Sequence, residues 1–153
     1  MSEVILRFAT PPDAPVLAEL RWRFRSEYAA TTEDRAAFLS RCADWMRARL
    51  GGQGSWFCWL AESAGVAVAC LWLQRIEKIP NPAAEPEAHA YITNFFVAEE
   101  ARGSGLGSRL LQRALDWCAA NDVDAAILWP SPRSRALYER HGFAVRTDLL
   151  ERR

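Results

Sequence analysis

The run Arg102-Gly103-Ser104-Gly105-Leu106-Gly107-Ser108 places three glycines two residues apart, behind a cation and among two hydroxyls. Glycines at that spacing let a backbone approach a ligand and leave several N–H groups unpaired where a helix begins, a geometry that receives phosphate. Plain loop geometry would leave the same pattern, and the run alone does not separate the two readings. It lacks the GxxxxGK core of a P-loop, and it misses the dinucleotide pattern GxGxxG. The four cysteines, Cys42, Cys58, Cys70 and Cys118, form no CxxC and lie in apolar stretches, so they read as small buried hydrophobes and not as metal ligands or disulfide partners.

The elements that must position this loop follow from periodicity and punctuation. Residues 3–8 alternate as a strand, Thr10-Pro11-Pro12-Asp13 stops it, and Val16, Leu17, Leu20 and Phe24 form the apolar stripe of a helix over about 13–28. Thr31 or Thr32 starts a second helix whose Ala37, Phe38, Cys42, Trp45, Met46 and Leu50 recur at three and four residue intervals, and the glycines of 51–54 end it. Residues 56–61 and 66–73 predict a hairpin across Glu62-Ser63-Ala64-Gly65, with Trp56, Trp59 and Trp72 as core. Three prolines make 79–88 an exposed loop. Residues 90–97 resume as a strand, the glycine loop breaks it, and a helix runs from Leu106 to near Asn121. A short strand at 125–129, a turn at 130–132 and a helix at 134–141 closed by Gly142 complete the pattern, with edge strands expected at 143–145 and 148–150.

The chain of 153 residues reads as a single domain over 1–153, long enough to bury a real core. Nineteen basic residues balance nineteen acidic ones, which removes the global positive field that nucleic acid or an anionic membrane would need. No apolar run approaches the roughly 20 residues of a membrane span, and no signal-like segment opens the sequence. With unpaired cysteines, these features predict a cytoplasmic protein with no nucleic-acid or membrane partner.

Two motifs in order narrow the reading. The segment 94–107, from Asn94-Phe95-Phe96-Val97 into Arg102-Gly103-Ser104-Gly105-Leu106-Gly107, resembles the acyl-CoA-binding motif of the GNAT superfamily of N-acetyltransferases. Downstream, Ala136-Leu137-Tyr138-Glu139-Arg140-His141-Gly142-Phe143 is similar to the superfamily's late LYE-x-x-GF signature. The resemblance implies an α/β (α+β) GNAT fold: a mixed central sheet of about six to seven strands flanked by about four helices.

It also implies acetyl-CoA as co-substrate, without a metal. The pyrophosphate would sit on the amides of Arg102, Gly103, Ser104, Gly105, Leu106, Gly107 and Ser108, and the pantetheine arm on the main chain of Phe95, Phe96 and Val97, where an N–H could polarise the thioester carbonyl. Tyr138 matches the usual general acid, since a phenol is protonated at neutral pH and can donate to a departing thiolate. Ser131 stands where many relatives carry Asn beside the CoA arm, and Ser134 lies one turn before Tyr138. Relatives often place a Glu on the strand before the glycine loop, but Tyr91-Ile92-Thr93-Asn94 holds no carboxylate. His89 is then either the base, acting through water, or a surface residue.

Acceptor recognition is expected from the two early helices and the proline loop, with Arg21, Arg25 and Tyr28 near the helix junction. Arg21 and Arg25, one turn apart, read either as holding an acceptor carboxylate or as solvated helix surface. The resulting expectation is direct acetyl transfer to a primary amine of a small molecule or an amino-acid-like compound. The alternatives are a non-catalytic acyl-CoA-binding or regulatory module, and an enzyme acting on a peptide or protein amine. Leu149 and Leu150 in the tail suit the edge contact of a homodimer.

Overall fold

The runs rich in branched and aromatic residues form one sheet in a computed structural model that describes residues 3–153. Its strands are β1 (Val4–Phe8), β2 (Trp56–Ser63), β3 (Val66–Glu77), β4 (Ala88–Val97) and β5 (Val123–Ile127), side by side in chain order. The first three junctions are antiparallel and β4 to β5 is parallel. The parallel step needs a crossover, supplied by α3 (Leu106–Ala120).

The helices explain why β2 and β3 are apolar at successive positions over 56–61 and 66–73. Cys58, Leu60, Cys70 and Trp72 pack in one cluster with Leu17, Leu20 and Met46 of α1 (Ala14–Tyr28) and α2 (Arg35–Arg49). Their strand neighbours Trp59, Leu71 and Leu73 pack in another with Leu110, Leu111 and Ala114 of α3 and Tyr138 of α4 (Arg135–Arg140). Successive side chains leave a strand on opposite faces, so a sheet covered on both sides needs apolar residues at every position. The hairpin turn is shorter than its sequence signal: Ala64 and Gly65 alone connect β2 to β3, both at positive φ (51° and 77°).

The α2 start also moves. Asp34 is the N-cap, its carboxylate accepting from the Ala37 N–H at 3.0 Å, two to three residues beyond the expected Thr31 or Thr32. The sheet has five strands where six to seven were expected, because residues 143–145 and 148–150 do not join it. Phe143 turns inward onto the Tyr138 ring (centroids 5.6 Å apart), and Arg146 pairs with Asp148 at 2.6 Å, folding the segment on itself. Val145, Leu149 and Leu150 are left exposed. No helix among the described residues is long and apolar enough to cross a membrane.

One irregularity in β4 governs everything that follows. Trp72 of β3 faces Thr93, while Cys70 faces Phe96, so Asn94 and Phe95 together oppose a single residue. Asn94 takes φ 51°, a left-handed value that asparagine tolerates better than most side chains. The extra residue reverses the facing of the strand. Before the bulge, the even-numbered Ala90 and Ile92 pack beneath α3; after it, the odd-numbered Phe95 and Val97 do, and Phe96 crosses to the α1 side.

Candidate active site

β5 pairs with β4 only as far as Tyr91 with Ile127, after which the chain departs through Leu128 and Trp129 while β4 continues six residues to Val97. The splay opens a cleft of about 800 Å³, with β4 as its floor, α1 on one side and the start of α4 on the other. Along residues 92–97 the β4 backbone has no β5 partner, so main-chain groups on that edge remain available to a ligand.

At one end lies the glycine loop. Gly103 and Gly105 both adopt φ 80°, where any side chain is strained, and Gly105 caps α3 without a side-chain hydrogen bond. The first-turn amides of α3 therefore keep their donors and the positive end of the helix dipole. Gly107 is different: an added Cβ would stand 3.5 to 3.7 Å from Leu137, Phe95 and Val97, ordinary contact distances. Arg102 donates through Nε to the Val97 carbonyl at 2.9 Å and through Nη2 to Glu27 at 2.9 Å, which ties the loop to α1. Arg133 reaches the same carboxylate at 3.4 Å.

Tyr138 lies midway, 7% exposed, its ring edge-on to Phe95 and Phe143. Burial pushes its phenol up to about 12, with the Ser134 hydroxyl acting in the opposite direction and Tyr28 reinforcing the rise. Ser131 and Ser134 exchange hydrogen bonds: the Ser134 N–H donates to Ser131 Oγ at 3.2 Å, the Ser131 N–H donates to Ser134 Oγ at 3.0 Å, and the hydroxyls lie 2.8 Å apart. That reciprocal cap shapes the start of α4. At the far end stand Arg21, Arg25 and Phe24 of α1, then Tyr91 with Trp129 packed edge-on at 5.4 Å.

The cleft thus brings together Arg21, Arg25, Tyr28, Phe95, Phe96, Val97, Arg102, Gly103, Gly105, Leu106, Gly107, Ser108, Ser131, Ser134 and Tyr138. Two expected residues do not line it. Ser104 is exposed and its hydroxyl donates to the Ala101 carbonyl at 2.9 Å, within its own turn. His89 sits where β4 is still paired on both sides, with Ile76 and Ala125, and its buried Nδ1 has no partner. It stands two residues before Tyr91 on the same face of β4 and is not among the residues that line the cleft. The proline loop also contributes no lining residue: Lys78 binds the Pro86 carbonyl and Asp124, holding the loop to the base of β5.

Sequence reasoning missed Glu27, Arg133 and Arg140, and it missed the structural part of Asn94. Nothing in their spacing marks them, since they converge from three separate elements. Ser108 also shares a 2.7 Å hydrogen bond with His141 Nε2, joining α3 to the end of α4. Five arginines line the cleft, Arg21, Arg25, Arg102, Arg133 and Arg140, and no Asp, Glu or His does. A chain of zero net charge therefore concentrates positive charge on one groove, which suits a long anionic ligand laid along a strand edge.

Residues 15–143 match the model of the acetyltransferase (GNAT) family. The chain belongs to that family. Solved structures agree. A GCN5-related N-acetyltransferase from Ralstonia eutropha JMP134 is 26% identical, with TM-score 0.80 and 98% of each chain covered. A protein from Clostridium acetobutylicum described as a predicted acetyltransferase, solved with acetyl-CoA, superimposes with TM-score 0.83 at 21% identity, covering 99% of this chain and 96% of that one. Glucosamine-6-phosphate N-acetyltransferase from Arabidopsis thaliana shares the fold at 16% identity and TM-score 0.72, over 99% and 98% of the two chains. No curated protein sequence matches this one. GNAT membership implies acetyl-CoA-dependent acetyl transfer, and the cleft of this GNAT chain fits that co-substrate: uncapped amides and arginines for phosphates, then a free strand edge for an amide-bearing arm.

Proposed function

We propose that the protein is a cytoplasmic N-acetyltransferase that moves an acetyl group from acetyl-CoA directly to a primary amine of a small molecule or amino-acid-like compound. The observation that carries it is the single cleft in which an uncapped helix start, a free strand edge and a buried phenol follow one another. The amides of residues 103–108 and the Arg102 guanidinium would hold the phosphates, and the main chain of Phe95, Phe96 and Val97 the pantetheine arm. Bound there, acetyl-CoA supplies an activated acyl group.

The chain's own residues do the rest. A free N–H on the β4 edge donates to the acyl carbonyl oxygen as charge gathers there. Tyr138 donates its phenol proton toward the departing sulfur. No side chain lining the cleft is a base, but Arg21 and Arg25, which no carboxylate partners, make a nearby ammonium costly, which lowers the acceptor's pKa and releases its proton to water. Incubation with acetyl-CoA and an amine panel, with trapping of free thiol, tests the reading; no thiol release across the panel and no CoA binding would overturn it. The absence of a lining carboxylate or histidine also supports a second reading, a non-catalytic acyl-CoA-binding module. Calorimetric CoA binding without transfer to any acceptor would favour that module.

A further inference from the structure

Arg21 is half-buried against β4, and its only side-chain hydrogen bond is to a neutral group, Asn94 Oδ1 at 3.3 Å. A guanidinium carries five donors, so most of its capacity is unused. Desolvation lowers the Arg21 pKa and Arg25 beside it lowers it further, so the site is uncomfortable for the charge it holds. The two arginines bracket the Phe24 ring at 6.0 and 5.9 Å, one helical turn apart. Neither has an acidic partner among the described residues, although α1 carries acids on both flanks. Glu19 is taken by Arg35, and Glu27 by Arg102 and Arg133. Arg23, between them in sequence, faces away and pairs with Glu100 at 2.9 Å.

A charged group removed from water is normally paired or hydrogen-bonded in full. The other charges on α1 are all paired, and of the two that face the cleft Arg25 is exposed while Arg21 is half-buried and breaks the rule. Asn94, held at φ 51° by the bulge, presents its carbonyl oxygen to Arg21 and orients the fork. The glycine loop at the opposite end already accounts for one anion. We infer that Arg21 and Arg25, with Asn94 as positioning residue, form a second anion subsite that receives a carboxylate of the acceptor, so the substrate class is amino acids or similar amines bearing a carboxylate. This deepens the acetyl-transfer reading above and rests on it. Polyamines are disfavoured by the same charges, and the aromatic wall of Tyr91 and Trp129 beside the subsite suits an aromatic or other flat side chain.

The test uses three probes of one skeleton on CoA-saturated protein: hydrocinnamate, its neutral amide and phenethylamine, with binding read by calorimetry. Hydrocinnamate is expected to bind best, and Arg21→Met to weaken it about 10- to 100-fold, the loss of a charge-assisted bond, while leaving the amide within about twofold. Arg25→Gln, at an exposed position, should weaken hydrocinnamate less, and Arg113→Gln, an exposed arginine on α3, not at all. A kinetic arm compares phenylalanine with phenylalaninamide and a short peptide: their kcat/KM ratio in favour of the free carboxylate should fall about 10- to 100-fold in Arg21→Met. Melting temperature and CoA affinity confirm that each variant is folded. Equal binding of all three probes, no binding of hydrocinnamate, or a peptide amine used as well as the free amino acid would overturn the subsite while leaving acetyl transfer intact. Failure to bind CoA would overturn both.

Discussion

Replacing Tyr138 by Phe removes one oxygen and keeps the ring that Phe95 and Phe143 pack against, so the fold should be undisturbed. How much activity is lost depends on what the phenol does. At about 12, it lies about 3.5 units above an aliphatic thiol near 8.5, and complete proton transfer to a free thiolate would be uphill by about 5 kcal/mol. The hydroxyl therefore acts chiefly as a hydrogen-bond donor to negative charge on sulfur. Such a bond contributes about 1.5–3 kcal/mol, which corresponds to a drop in kcat of about 10- to 150-fold, well short of the ~10⁴-fold upper range of general acid catalysis.

The assay is thiol release at saturating acetyl-CoA and acceptor, with CoA affinity measured separately by calorimetry and expected to change little. A phenol raised to about 12 is only about 1% ionised at pH 10, so the wild-type rate should show no Tyr138-dependent decline below pH 11. A kcat unchanged within about twofold would remove Tyr138 from the reaction. A loss beyond about 10⁴-fold in a folded, CoA-binding variant would refute the hydrogen-bond argument in favour of full proton transfer.

Because no Asp, Glu or His lines the cleft, the rise of kcat/KM with pH should report the acceptor's own ammonium. Two acceptors whose amine pKa values differ by about one unit should shift that limb by the same amount, and an invariant limb would reveal a protein base. Gly105→Ala should lower the melting temperature by about 2–6 °C through about 1–2 kcal/mol of left-handed strain, and weaken CoA binding. Gly107→Ala, whose Cβ would meet only ordinary contacts, should melt within about 1 °C of wild type. Arg7 holds the Asp13 carboxyl down at about 2, tying β1 to the start of α1. A carboxyl depressed in the folded state stabilises above its unfolded pKa, and that stability is lost as pH falls from about 4 to about 2. Discounted for the part-exposed arginine, the contribution is about 1–2 kcal/mol, and Asp13→Asn should flatten the denaturation profile over that window.

Local chemistry was readable from the residues themselves. Gly103-Ser104-Gly105 read as a turn, with or without a ligand on its amides, and the structure gives both glycines the positive φ that is cheap for glycine. The apolar runs at 56–61 and 66–73 read as a hairpin with its tryptophans in the core, and the resemblance to the late family signature put Tyr138 on the last helix. What the linear pattern did not carry was convergence. Period-two reading assigns one face to the whole of residues 88–97, but the bulge at Asn94 reverses that assignment at its midpoint, and only pairing against β3 reveals it. His89, five residues before Asn94, lies where β4 is still paired on both sides and does not reach the cleft lining.

Charge followed the same rule. The sequence by itself determined that basic and acidic residues balance, that a phosphate-ready loop precedes a helix, and that the family motifs occur in order. Tertiary structure decided which charges cancel. Glu27 reaches Arg102 and Arg133 across distances of 75 and 106 residues, and Arg35 takes Glu19, which leaves Arg21 and Arg25 facing the cleft unpaired. Local sequence fixes a backbone conformation because φ and ψ depend on immediate neighbours, whereas ion pairing falls off within angstroms and depends on which elements the sheet brings together.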